Sequence, residues 1–460
     1  MTPTSQIIKN TWRLILPIST ARLITMITSF VGILIIARIS QDVLAASALI
    51  SSTQAFLFFS GYSLLFSVSA MVGQAFGGKR YEEIGSIFQQ ALLYGVLVSL
   101  PIMLIQGFIG PILLLLKQAP SIASIVQHYF IYYLWGNPAM AGAIVCQQFL
   151  LAVNQRRFVF LISIFNLIVA IGSAWILVNG VWGFPKVGVG GLGLAYAIQL
   201  WLSFGIYFYY CYSQKEFAHY SLFTYRIHHT FHLLKKLFSI GWPITVQSSA
   251  DLLSFFLLSI FAGWLGTDAL AAQQIVTQYF VLLCVPVFAI AQASTILIGQ
   301  SYGAKAYEDI NRYAYAALGF AMGFSILILL LFVLFPHTLI QLYTQHHPAS
   351  QAIEHLAAIV LILTGFRLLF DSIFEVKVGS LRGLYDTRYP MIMTTLFVLV
   401  INVPLAYYLA FVFHFGLIGM TAGGVVLTVI CACILWRRWR NIVHKKIRVI
   451  LQDEAISTQK

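Results

Sequence analysis

"VGQAFGGKRYEEI", residues 72–84, returns later in the chain as "IGQSYGAKAYEDI", residues 298–310. The first copy looks like a nucleotide-binding loop, G-x-x-x-x-G-K. A working loop of that kind follows a strand, places Ser or Thr after the Lys, and opens a helix whose N-terminus cradles phosphate. Here Arg80 holds the Ser/Thr position, and the second copy has Ala304 in place of Gly78. Both copies lie between long apolar runs, and no other ATPase motif appears. The phrase therefore reads as a tight cytoplasmic turn whose glycines let two helices meet closely.

The spacing of the two copies extends outward in one register. At the same offset of 226 residues, Pro17 in "LPIS" matches Pro243 in "WPIT", and "QDVLAA" at 41–46 matches "TDALAA" at 267–272. Gly190 and Gly193 likewise match Gly416 and Gly419. Such agreement over separated segments marks a duplicated chain.

Composition says what was duplicated. Of 460 residues, 60% are hydrophobic and 9% charged, with a mean hydropathy of +0.87. Soluble domains carry about 25% charged residues. A bilayer crossing needs about 20 apolar residues, and twelve runs qualify: 12–38, 44–72, 85–113, 121–151, 158–180, 191–213, 238–264, 270–298, 311–335, 351–381, 390–412 and 416–436. They are far longer than the roughly 10 residues of a barrel strand, so they are helices. The expected fold is an all-α integral membrane protein, with twelve transmembrane helices in two six-helix lobes. An even number of spans per half makes the repeat parallel, with a pseudo-two-fold axis along the membrane normal. The expected boundaries are 1–213 and 238–440 for the lobes, 214–237 for a polar cytoplasmic linker and 441–460 for a basic cytoplasmic tail.

The net charge of +13 invites a nucleic-acid partner, but its distribution argues otherwise. With both termini in the cytoplasm, the inner loops and the tail hold nearly all the Lys and Arg, including Lys79, Arg80, Arg156, Lys235, Lys305, Arg382, Arg226, Lys445, Lys446, Arg448 and Lys460. The loops of the other side keep only Arg38, Lys117 and Lys186. That is the positive-inside pattern, so membrane lipids and not nucleic acid account for the charge. The tail "WRRWRNIVHKKIR" is expected to touch anionic lipid. The first span is too long for a cleavable leader. The cysteines (Cys146, Cys211, Cys284, Cys431, Cys433) lie in apolar spans and read as packing. The histidines of "HHTFH" (His228, His229, His232) and "QHHPA" (His346, His347) read as solvated loop residues.

Ionisable side chains within spans are costly and are functional candidates by default. Arg22 lies in the first span, Asp251 in the seventh, and Arg367, Asp371, Glu375 and Lys377 in the tenth. Arg367, Asp371 and Glu375 recur every four residues and share one helix face. That spacing also suits an internal ion pair. Lys377, toward the cytoplasmic end, is expected to snorkel. A carboxylate in hydrocarbon needs a cation or a proton, so Asp251 and Asp371 could exchange protons or bind Na⁺ with hydroxyl and carbonyl oxygens. Tyr132, Tyr133 and Trp135, beside Asn137 and Pro138, are candidate cavity aromatics for stacking and cation–π contacts. Pro17, Pro138, Pro243 and Pro286 fall inside spans and can kink them.

Taken together, "GQAFGGKR", "GQSYGAKA", "GWPITVQSSAD" (241–251), "LGTDALAAQQI" (265–275) and "DSIFEVKVGSLRGLYDTRYP" (371–390) resemble the multidrug and toxic compound extrusion (MATE) family, NorM-like branch, over about residues 8–440. The resemblance implies two six-helix lobes around a central cleft. It also implies efflux of cationic, amphipathic compounds by alternating access against Na⁺ or H⁺, with no other cofactor. Its acids in helices 7 and 10 fall on Asp251, where the branch usually has Glu, and Asp371. Glu375, Arg367 and Arg22 are auxiliary candidates. The family commonly has Asp in helix 1; here that position is Gly32, so coupling is expected in the C-terminal half. The expected protein is a monomeric secondary antiporter of the bacterial inner membrane, acting on small molecules and not an enzyme. The alternative is a flippase for a lipid-linked amphiphile, with Arg22 and Arg367 drawing a phosphate head. No intramembrane nucleophile, metal ligand set or channel filter appears in the sequence.

Overall fold

The computed structural model describes residues 2–37, 39–183, 185–223, 230–344 and 351–443. Arg38, Arg226, His228, His229, His346, His347 and the tail beyond 443, with Lys445, Lys446, Arg448 and Lys460, lie outside the described residues. The described regular structure is helical, and the fold is the twelve-span bundle. Among the described residues, eleven helices are long and apolar enough to cross a membrane. The twelfth crossing is broken: α6 (Pro120–Tyr133) gives way to a 3₁₀ turn, Leu134–Gly136, and then to α7 (Asn137–Ala152). Pro138 is thus in the first turn of a new helix and not inside an old one. Its missing N–H costs nothing there. Gly136 is needed because a Cβ would meet the backbone of Ala197 at 3.0 Å.

The chain folds into two compact units. One comprises Leu16–Thr245; the other joins Met1–Ile15 to Val246–Lys460. The dividing lines fall inside α1 (Thr4–Ala37) and α10 (Thr230–Trp264), close to Pro17 and Pro243. Side-chain chemistry explains the assignment of the ends. At the start of α12 (Tyr307–Leu334), Arg312 Nη1 donates to the Thr2 carbonyl at 2.5 Å and Asp309 accepts from Thr2. Asn10 donates to Tyr313 Oη at 3.3 Å, and Trp12 lies against Phe320. In the other unit, Lys236 at the start of α10 pairs with Glu83 at the start of α4 (Tyr81–Gly107) at 3.9 Å.

The repeated phrase folds alike in both copies. α3 (Ser67–Gly77) and α11 (Thr267–Gly303) both end at its second glycine. Arg80 N–H donates to the Ala75 carbonyl at 2.9 Å, and Ala306 N–H to Ser301 at 2.9 Å. The left-handed residue of each turn is Lys79 (φ 54°) or Lys305 (φ 57°), not a glycine. The acids that follow, Glu82 and Glu83 or Glu308 and Asp309, meet the positive end of the next helix.

α14 (Gln351–Gly383) is the central element of its unit, packed on α11, α12 and α17 (Gly416–Ile442). Small residues set its distance from α11. A Cβ at Gly379 would collide with the Ala291 carbonyl. Ser294 and Ser380 hydroxyls pair at 2.9 Å, and Thr295 donates to the Gly379 carbonyl at 2.8 Å. Close backbone approach with hydroxyl bridges is the usual way helices associate in lipid. It fixes the helix that carries most of the ionisable residues.

Candidate functional site

In the unit containing residues 246–460, a cavity forms among α10, α11, α14, α17 and the π-helical segment Thr395–Asn402. Its volume is about 120 Å³, and it is partly open to the outside. Asp251 enters from α10. Arg367, Asp371 and Glu375 enter from one face of α14, as their four-residue spacing predicts. Asn402 closes the π segment, and Thr428 and Cys431 line the α17 wall. The π turn has a local cause: Pro404 supplies no N–H, and the chain before it shifts to wider hydrogen bonding, an irregularity common at functional sites.

Arg367 Nε lies 3.3 Å from Asp371 Oδ2, yet the two miss the alignment of a hydrogen bond. The guanidinium sits 5.6 Å from the Phe280 ring centroid. Arg382 reaches the same cluster from the last turn of α14. It donates to Gln247 Oε1 at 2.9 Å, and its charge acts on Glu375 and Asp251. Three carboxylates therefore face two guanidinium groups, and full ionisation leaves one negative charge in excess. Among the described residues no three of His, Cys, Asp and Glu converge to hold a metal ion. A cation here would complete its shell from neutral oxygens such as the hydroxyls of Ser254 and Thr428. Carboxylate and carbonyl oxygens are the ligands hard cations take.

The MatE family profile matches the chain twice, over residues 17–176 and 243–408, and the two matches begin at the paired prolines. The chain belongs to the MatE family. It is 29% identical over 439 residues to a Synechocystis protein named probable multidrug resistance protein NorM, covering 94% of this chain and 95% of that one. It is 28% identical to the multidrug resistance protein NorM of Burkholderia vietnamiensis, covering 93% of each. The fold matches the Vibrio cholerae MATE transporter VcmN in its bent form with a TM-score of 0.86 at 18% identity, covering 96% and 98% of the two chains. A MOP superfamily transporter of Pyrococcus furiosus, described as having a binding pocket of reversed polarity, matches at 0.83 and 17%, covering 97% and 99%. The protein is a NorM-like multi-pass membrane transporter and not an enzyme.

Several residues of this MatE chain sit differently from their sequence reading. Arg382 belongs to the acid cluster, not to a loop. Its spacing of seven from Glu375 puts it on the same helix face, which was the available signal. Asn402, Ser254 and Thr428 carry no charge and so give no signal of their own within apolar runs. Cys284 and Cys431 line the cavity, and Cys433 is exposed. Lys377 does not snorkel. It is fully buried, with Nζ 4.5 Å from the Trp436 ring, 5.1 Å from Tyr315 and 5.3 Å from Trp439. The tail's Trp439 is accordingly buried and donates to Asn311 Oδ1 at 3.0 Å.

In the unit 16–245, Arg22 lies on α1. Gly32, where the family commonly has Asp, faces Tyr196 of α9 (Val189–Ser213), and a Cβ there would collide with the tyrosine hydroxyl. That hydroxyl donates to the Thr28 carbonyl at 3.2 Å. An uncharged phenol thus fills the space beside the helix 1 position. The proposed aromatic cluster is divided: Tyr133 is buried and stacked on Tyr129, whereas Trp135 is 66% exposed. Asn137 is a core residue, accepting from Tyr62 at 2.8 Å and donating to Gln106 at 2.6 Å.

Proposed function

We propose that this chain is a secondary multidrug antiporter of the bacterial inner membrane, with both termini cytoplasmic. It exports cationic or amphipathic small molecules by alternating access in exchange for Na⁺ or H⁺. The observation that carries the reading is the single excess negative charge of the Asp251, Asp371, Glu375, Arg367 and Arg382 cluster. One monovalent cation neutralises it. A coupling ion and a cationic substrate that both draw on this charge oppose each other, and mutual exclusion of that kind is what exchange requires. Opposite charges near 4 Å attract by about 4 kcal/mol at an effective dielectric of about 20, more than the 1–3 kcal/mol typical of coupling between sites. Asp251 and Asp371 are the proposed coupling pair, with Glu375 and Arg367 as auxiliaries. The multidrug resistance names of the relatives support the substrate class.

The test is ethidium efflux from liposomes containing the purified protein, driven by an imposed Na⁺ gradient or an imposed pH gradient. Wild type should move dye under one gradient, which identifies the ion. Asp251→Asn combined with Asp371→Asn should lose that movement while remaining monodisperse. No dye movement under either gradient would overturn the reading in favour of a lipid-linked amphiphile.

A further inference from the structure

Arg367 stands between two cavities. The acidic one holds Asp251, Asp371 and Glu375. The second is lined by Gln273, Thr277, Thr364 and Thr421 and contains no acid. Arg367, Asn402 and Gly424 line both. On the acidic side Arg367 Nε lies 3.3 Å from Asp371 Oδ2, and among the described residues neither atom completes a hydrogen bond. On the other side Asn402 Oδ1 is buried and, among the described residues, has no hydrogen-bond partner. Asn402 itself is only 6% exposed. A buried amide oxygen left without a donor carries its desolvation cost uncompensated, and a guanidinium donor would remove that cost. Gly424 separates the two partners: a Cβ on it would lie 3.7 Å from both Arg367 Nη1 and Asn402 Oδ1. With no side chain there, the way between them is open.

We propose that Arg367 is a tethered competitor of the coupling cation, holding Asp371 when the ion is absent and turning to Asn402 when the ion occupies Asp371. The inference rests on the antiporter reading and deepens it. A fixed guanidinium keeps Asp371 from standing as an uncompensated charge in the membrane once the ion has left. Release of the ion therefore does not leave a bare carboxylate, the costly intermediate of any exchange cycle in a low-dielectric site. Asn402 supplies the second resting place, so that Arg367 is not stranded when it yields. Among the described residues, the other charged and titratable groups facing Asp371 are Asp251 from α10, Cys284 from α11, Glu375 from α14 and Cys431 from α17, while Arg382 acts on Asp251 and Glu375. None of these is both basic and adjacent to Asp371 on the helix face, which leaves Arg367 as the group that substitutes for the ion.

The experiment uses two readouts on the full chain. The first is reaction of purified protein with a hydrophobic carbodiimide, which attacks protonated carboxyls, with modification at Asp371 read by peptide mass spectrometry. The second is the cation concentration giving half-maximal ethidium efflux in liposomes. Arg367→Gln should raise labelling of Asp371 roughly tenfold, the effect of losing one neighbouring charge, and lower the half-maximal cation concentration. Asn402→Leu removes the alternative partner and should do the opposite, lowering the labelling and raising the half-maximal concentration. Opposed signs are the signature, because a purely structural role moves both variants the same way. Unchanged labelling in Arg367→Gln, or shifts of the same sign in both variants, overturns the competitor role while wild-type efflux upholds the antiporter. Wild type that moves no dye overturns the antiporter reading and the competitor role with it.

Discussion

Lys377 gives the sharpest test of packing in the ion-bearing unit. It is fully buried on α14, and among the described residues its ammonium has no hydrogen-bond partner. Its surroundings are three rings, from Tyr315 on α12 and Trp436 and Trp439 on α17, all with centroids within about 6 Å, the range in which cation–π attraction acts. A desolvated contact of this kind is worth about 2 kcal/mol or more, so three non-additive contacts supply on the order of 4 kcal/mol. Removing an ion of this size from water costs several kcal/mol in a real protein. The two terms nearly cancel. Lys377→Met keeps the length, discards both terms and should leave stability within about 1.5 kcal/mol, as volume-conserving core changes do. Lys377→Ala loses the stem as well and leaves a cavity, costing about 2–5 kcal/mol. Lys377→Glu sets an unpaired anion against three negative ring faces and should be worse, beyond the 3–5 kcal/mol of a broken buried pair. The buried thiols of Cys146, Cys211, Cys284 and Cys431 provide the assay: a thiol-reactive fluorophore reports their exposure during a thermal ramp, over a constant signal from exposed Cys433. The order of melting temperatures should be Met and Lys together, then Ala, then Glu. A Lys377→Glu protein that melts with wild type would refute the cage.

Other predictions follow from single contacts. Gly32→Ala should lower the thermal midpoint by overlap with the Tyr196 hydroxyl, and Tyr196→Phe should restore part of the loss; equal midpoints for Gly32→Ala in both backgrounds would contradict the collision. Lys79→Gly and Lys305→Gly should each stabilise by about 1 kcal/mol, the strain of a left-handed non-glycine residue, and calorimetry or thiol exposure would show it. Asp309→Ala should release the first residues of the chain, seen as faster proteolytic trimming before Trp12, whereas Glu83→Ala should leave that trimming unchanged.

The fold was legible because duplication and hydropathy are both one-dimensional signals. The paired prolines and the paired turns fixed the register, and the span lengths left only helices. The site was half legible. A charge inside a span is conspicuous, and the spacing of Arg367, Asp371 and Glu375 placed them on one face, which the structure bears out. What failed depended on the third dimension. Lys377 looked like a residue reaching for the membrane surface because its aromatic partners come from α12 and α17, distant in sequence. Gly32 showed that an acid was missing, but only the fold shows that Tyr196 occupies its place. Asn402 owes its position to a π turn, and a hydrophobic run ending in Asn-Val-Pro carries no periodic mark of one. Arg382 reads as a loop residue because hydropathy falls at a span end, and a buried charge at a helix end looks the same on that measure.

The division of the chain into Leu16–Thr245 and Met1–Ile15 with Val246–Lys460 also imposes an order on synthesis. The first unit is continuous and has all its residues as soon as position 245 has been made. The second is not. Residues 1–15 precede the rest of the unit, and Thr2 meets its partner Asp309 only 307 residues later. At about 5–20 residues per second, that is roughly 15–60 s of translation. For this interval Thr2 lacks Asp309 and Arg312, which hold it only when the ninth crossing has been built. Residues 2–15 are thus made long before the helix that holds them.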